Sequence, residues 1–252
     1  MKAISKISNI LLAALAVLAI SVPVLASETD SRIETAARQS YVFQTYLQGD
    51  DIKIRSLDGD VTLTGIVGEE SHKSLAQDTV AGLPGVRSVD NRLEVKGESP
   101  AKNSDEWLTS KVKSTLMFHR SVSGATTQVY VKRGIVTLRG NASSQAQKDL
   151  TTEYARDIDG VKDVINEMTV GNSANNLQSL GEKIDDASIT AQVKMTLLYH
   201  RSTSALNTRV ETNGGVVTLE GKAKNAAEMD LATKLAKDVY GVRGVDNRMT
   251  IE

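Results

Sequence analysis

Asn213-Gly-Gly-Val-Val-Thr-Leu-Glu-Gly221 is followed at a short distance by Val239-Tyr-Gly-Val-Arg-Gly-Val-Asp-Asn-Arg-Met-Thr-Ile251. The same pair occurs twice earlier. One copy is Arg133-Gly-Ile-Val-Thr-Leu-Arg-Gly140 with Ile158-Asp-Gly-Val-Lys-Asp-Val-Ile-Asn-Glu-Met-Thr-Val170. The first is Asp58-Gly-Asp-Val-Thr-Leu-Thr-Gly65 with Leu83-Pro-Gly-Val-Arg-Ser-Val-Asp-Asn-Arg-Leu-Glu-Val95. In every copy the glycine closing the Thr-Leu segment (Gly65, Gly140, Gly221) stands 20 residues before the glycine of the Gly-Val pair (Gly85, Gly160, Gly241). One internal spacing held three times marks a tandem repeat. The chain therefore reads as a leader followed by three copies of one small module.

Each copy opens with a helical period. Leu108, Val112, Thr115 and His119 fall on one face, as do Ile189, Val193, Thr196 and His200, and Ile33, Ala37, Ser40 and Gln44. Two alternating runs around a glycine turn then predict a β-hairpin, with Val136 and Leu138 as inward residues of the second copy. The closing glycine (Gly65, Gly140, Gly221) is expected where the second strand ends, because it permits φ > 0 as the chain leaves the sheet. A second helix follows, with stripes such as Leu150, Tyr154 and Ile158, or Leu231, Leu235 and Val239. It is expected to run up to Gly85, Gly160 or Gly241, a left-handed stop. A third strand closes the unit. The fold class is α+β: three tandem α-β-β-α-β modules, each a three-stranded mixed sheet with two helices on one face. Each module carries all five elements, so each is expected to fold alone.

The expected boundaries are 28–96, 105–171 and 185–252 for the modules, with polar linkers at 97–104 and 172–184. Before them, Lys2 and Lys6 precede the apolar run Ile10–Ile20, and Val24-Leu-Ala26 supplies small residues for a cut. That pattern predicts a signal peptide over 1–26, cleaved after Ala26, and places the mature protein in the periplasm. From residue 27 on there are 28 basic and 31 acidic groups, no footprint for nucleic acid. Cysteine is absent, which removes thiol chemistry and disulfides.

The strand Gly134, Val136, Thr137, Leu138, Gly140 and the strand Gly160, Val161, Val164, Asn166, Met168, Val170 resemble the BON domain family. The likeness covers nearly all of residues 28–252 in three copies. The first copy departs most: Gln44-Thr45 stand where the others have His119-Arg120 and His200-Arg201. The resemblance implies a non-catalytic module with roles in phospholipid association, envelope integrity or periplasmic chaperoning. It fixes no binding residue.

The residues offer little catalytic chemistry. His119 and His200 are repeat equivalents, read as helix-end residues packed beside the apolar stripe. Asp185-Asp186 reads as a helix cap. Asn91, Asn166 and Asn247 recur in all copies, as a structural strand asparagine would, together with the motif glycines. No metal site, cofactor motif or nucleophile constellation is present. With this lack of chemistry, the resemblance implies a non-enzymatic role: association with anionic phospholipid or envelope proteins, with peripheral membrane contact at most. The rival is a chaperone-like module for unfolded or outer-membrane clients. Only the second module has a positive balance, and Lys132, Arg133 and Arg139 on its hairpin are the candidate lipid contact. The leader reading predicts a mature N-terminus at Ser27. Amino-terminal sequencing of protein released by osmotic shock checks it, and an intact Met1 in the membrane fraction contradicts it.

Overall fold

The computed structural model describes residues 28–97, 100–171, 183–203 and 208–252. The leader expected over 1–26 lies outside the described residues, as do linker positions 98–99 and 172–182. Module 1 comprises α1 (Glu28–Gln39), α2 (Tyr41–Thr45), β1 (Asp51–Leu57), β2 (Asp60–Val67), α3 (Glu70–Ala81) and β3 (Ser88–Val95). Module 2 has α4 (Asp105–Phe118), β4 (Gln128–Lys132), β5 (Ile135–Arg139), β6 (Asn141–Ala142), α5 (Gln145–Arg156), β7 (Asp163–Asn166) and β8 (Thr169–Val170). Module 3 has α6 (Asp186–Tyr199), β9 (Thr208–Asn213), β10 (Val216–Ala223), α7 (Ala226–Lys237), β11 (Gly244–Asn247) and β12 (Thr250–Ile251). The central strand of each sheet pairs antiparallel with the first strand and parallel with the third. This is the mixed sheet expected from the repeat.

The three hairpins share one turn. Asp58-Gly59, Arg133-Gly134 and Gly214-Gly215 all have positive φ at both central residues, the geometry that matches strand twist in a two-residue hairpin. An aspartate in the first turn of each leading helix holds this turn. Asp30 accepts from the Asp58 and Gly59 amides at 3.0 Å and from Ser56 Oγ at 2.6 Å. Asp105 accepts from Arg133 N and Gly134 N at 2.7 and 2.9 Å. Asp186 accepts from Gly214 N and Gly215 N, both at 2.8 Å. The recurring asparagines hold the other end. Asn166 Nδ2 donates to Lys148 O and Thr152 Oγ1 on α5, while its Oδ1 accepts from Met168 N. Asn91 and Asn247 do the same to α3 and α7.

Four expectations are corrected. First, Gly65 and Gly221 lie inside β2 and β10, not at their ends. With φ of 123° and 139° they turn the strand without stopping it. A Cβ on Gly65 would sit 1.9 Å from the Asp51 carbonyl oxygen of the neighbouring strand. Second, the second helices end before the Gly-Val glycines, at Ala81, Arg156 and Lys237. Third, the leading helix of module 1 breaks at Ser40. Its hydroxyl caps a new turn, and Val42 takes the buried place while Gln44 is exposed.

Fourth, the modules do not keep separate cores. Eleven of the 14 residues of α6 are buried. Ala187, Ala191, Met195 and Tyr199 belong to a core shared with modules 1 and 2, while Ile189, Val193 and Leu197 face the core of module 3. Two faces of this one helix are therefore covered by different modules. Gly82 on module 1 makes room: a Cβ there would meet Ala187 at 3.3 Å. Module 1 also binds the start of α6, since the capping Asp185 accepts from Tyr41 N through Oδ2 and Ser188 Oγ accepts from Val42 N.

Asp30 is 1% exposed, so its carboxylate bonds stand out of water. Asp30→Ala leaves the turn amides of module 1 without their acceptor. It is expected to lower stability by about 2–3 kcal/mol. Urea unfolding monitored by circular dichroism checks this, and a variant equal to the parent contradicts the role of the aspartate.

Candidate functional site

Modules 2 and 3 meet along a seam built twice from the same parts. Their leading helices end in His119-Arg-Ser121 and His200-Arg-Ser202. Each tripeptide docks on the residue that ends the second helix of the other module, Asp238 or Asp157. Arg120 N donates to Asp238 O at 2.9 Å, and Arg201 N to Asp157 O at 2.8 Å. Tyr240 N donates to Phe118 O, and Asp159 N to Tyr199 O. The Arg120 guanidinium donates to Lys237 O and Val242 O, and that of Arg201 to Arg156 O and Val161 O. Ser121 and Ser202 donate to the carboxylates of Asp238 and Asp157. Antiparallel bridges His119–Val239 and Ile158–His200 complete the seam.

The two histidines lie at the centre, 0% and 1% exposed, with ring centroids 5.8 Å apart. His200 Nδ1 is 2.9 Å from Asp157 Oδ2 and aligned for a hydrogen bond. His119 Nδ1 is 3.2 Å from Asp238 Oδ2 but poorly aligned, and makes no such bond. The asymmetry has a cause. Tyr154 stacks on His119 at 4.0 Å, and its hydroxyl takes Asp238 Oδ2 at 2.7 Å. At the equivalent position module 3 has Leu235, which leaves Asp157 free for His200. Burial pushes the His119 pKa down, and the neighbouring Asp238 only partly offsets that. For Asp238, burial pulls the carboxyl up, but the neighbouring His119 ring and hydrogen bonds from Ser121 and Tyr154 outweigh it and hold it below the usual value.

Module 1 lacks both halves of this arrangement. Gln44-Thr45-Tyr46 replace the tripeptide and Gly82 replaces the aspartate. Sequence reading noted the first change and not the second, although the two occur together. It also set Leu150, Tyr154, Leu231 and Leu235 in the module cores. The structure turns them partly toward the seam, where they line a cleft of about 650 Å³ between α5 and α7. His72 is tied to module 1 through Asp50, whose Oδ2 lies 2.7 Å from Nδ1.

The candidate lipid residues share the hairpin of module 2, on or beside the outer face of its sheet. Lys132 is at the end of β4, and Arg133 occupies the turn at φ 54°. Arg139 is held by Glu167 at 2.7 Å and lies over the Tyr130 ring. Among the described residues Lys132 and Arg133 make no ion pair. The same face exposes Tyr130, Ile135 and Ile165 at 53%, 38% and 48%. Tyr130 and Ile165 flank Thr137 in one row across the three strands. A separate cleft of about 740 Å³ lies where the three modules meet, with Lys111 Nζ over Trp107 and Tyr199 at 3.9 and 4.7 Å. Among the described residues no three of His, Cys, Asp and Glu gather as metal ligands.

The family profile of the BON domain matches residues 29–97, 104–172 and 185–252. The chain is 32% identical over 143 residues to osmotically-inducible protein Y of Escherichia coli, covering 57% of this chain and 70% of that one. It is 35% identical over 112 residues to outer membrane lipoprotein DolP of Haemophilus influenzae, covering 44% and 58%. A solved structure of CdsD, a structural protein of the type III secretion system of Chlamydia trachomatis, aligns with a TM-score of 0.25. That alignment is at 18% identity and covers 87% of this chain and 90% of that one.

The seam makes stability depend on pH. The unfolded chain protonates His119 near its ordinary value of ~6.5, the folded chain only at lower pH. The stability present above that value is therefore lost as pH falls. The contribution of Asp238, whose folded pKa is also lowered, is lost only below about pH 4. Urea midpoints should drop from pH 7.5 to about 5.5, and His119→Gln should flatten the drop. A parent with no dependence in that window contradicts a neutral, buried His119.

Proposed function

We propose that this chain, which belongs to the BON domain family, is a non-enzymatic envelope protein of the periplasm that associates with phospholipid surfaces. Its role is to support envelope integrity under osmotic or envelope stress. Among its relatives are an osmotically-inducible protein and an outer membrane lipoprotein, and both names fit that setting. Among the described residues no helix is long and apolar enough to cross a membrane, so contact through the described modules would be peripheral.

The observation that supports the reading is the outer sheet face of module 2. Exposed Tyr130, Ile135 and Ile165 lie beside Lys132 and Arg133. Apolar groups can enter the headgroup layer while basic groups meet anionic lipid, each worth about 1 kcal/mol within a Debye length. Arg139 contributes less, because its charge is already matched by Glu167.

Lys132→Gln with Arg133→Gln is expected to weaken binding to anionic vesicles at low salt. The loss should be roughly fivefold per charge, and the salt dependence should flatten. Tyr130→Ser with Ile165→Ser should weaken binding while leaving the salt dependence in place. Sedimentation with vesicles checks both. Binding unchanged by all four substitutions overturns the patch. If the serine variants instead lose protection of an unfolded client while vesicle binding persists, the face serves client capture.

A further inference from the structure

The seam between modules 2 and 3 is self-complementary. Each module carries both halves: a His-Arg-Ser tripeptide that donates and an aspartate cap that accepts. Such an isologous contact places no constraint on which polypeptide supplies each half. In the sequence, the two modules are joined by the Asn- and Ser-rich stretch 172–182.

Separating the seam exposes two matched surfaces. Module 3 carries away Ala187, Ala191, Met195 and Tyr199 of α6, together with its tripeptide and Asp238. Modules 1 and 2 keep the socket, formed by α3, α4, Asp157 and the backbone of Tyr41 and Val42. Apolar surface of that size with hydrogen-bonding groups at its rim is costly to leave in water. Module 1 cannot fill the socket in place of module 3, because Gln44-Thr45-Tyr46 and Gly82 supply neither half. The pairing is thus fixed by module type and left open as to chain.

We propose that the socket also accepts the third module of a second copy. Two chains exchange third modules and form a closed two-fold dimer held by the same contacts as the monomer. Intrachain docking is favoured by a tether equivalent to ~mM concentration. Exchange therefore appears when chains refold together at high concentration. Once formed the dimer dissociates slowly, because leaving it requires re-exposing α6.

The test uses the full mature chain in tagged and untagged forms. The two are unfolded together in urea, refolded over a range of concentrations, diluted, and separated by size and native mass spectrometry. Mixed dimers that increase with refolding concentration and survive dilution are expected. Monomer alone at every concentration overturns the proposal. In a second arm Asp157→Arg and Asp238→Arg are combined. Dimer is expected to be lost, and dimers that persist are held elsewhere and overturn the proposal. A third arm leaves every seam residue intact, so it reads exchange even if the arginine variant does not refold. Deleting Ser173–Leu177 should raise the dimer fraction by hindering closure within one chain, and a lengthened Gly-Ser segment should lower it. A dimer fraction indifferent to segment length overturns the proposal.

Discussion

The bond from an aspartate on the leading helix to the amides of the hairpin turn is the constraint on which each module depends. A two-residue turn with φ > 0 at both central positions leaves its amide donors pointing out of the sheet. Asp30, Asp105 and Asp186 collect those donors, so helix and hairpin are fixed to each other before any apolar contact is counted. Charge-assisted bonds of this kind are roughly twice as strong as neutral ones. The strand asparagine is the counterpart at the far end: it ties the third strand to the second helix through both of its polar atoms. Between these two anchors Val136, Leu138, Val217 and Leu219 meet the helices in a fixed register.

A module of this size has limited core area, and the chain compensates by sharing it. α6 serves two cores at once, packing on α3, α4 and α7. This explains why it has apolar residues on two faces: Ala187, Ala191 and Met195 are buried by modules 1 and 2, and Ile189, Val193 and Leu197 by module 3. The seam histidines follow from the same crowding. Each ends a helix inside the interface, beside a carboxylate from the other module. Close repeat equivalence does not make the two environments equal, since Tyr154 rather than a leucine decides where the Asp238 oxygen points.

The departures of module 1 form one coherent change. Losing the tripeptide and the aspartate together removes it from the exchange. Gly82, by having no side chain, admits α6 instead. Three sequence-related modules thus assemble asymmetrically, a pseudo-two-fold pair with the third laid across its central helix.

The sequence by itself determined the repeat, the order of elements, the hairpins and the identity of the inward strand residues. Each of these rests on local spacing: a period of two, a period near four, or a glycine at a turn. The aspartate anchor was also legible in principle, because it stands 28 residues before its turn in every copy. The break at Ser40 and the direction of the Leu150–Tyr154 stripe were decided by tertiary structure alone. So were the partners of His119 and His200. In each case a group from another module competes for the local hydrogen bonds or covers the apolar face, and periodicity within one segment carries no record of what packs against it.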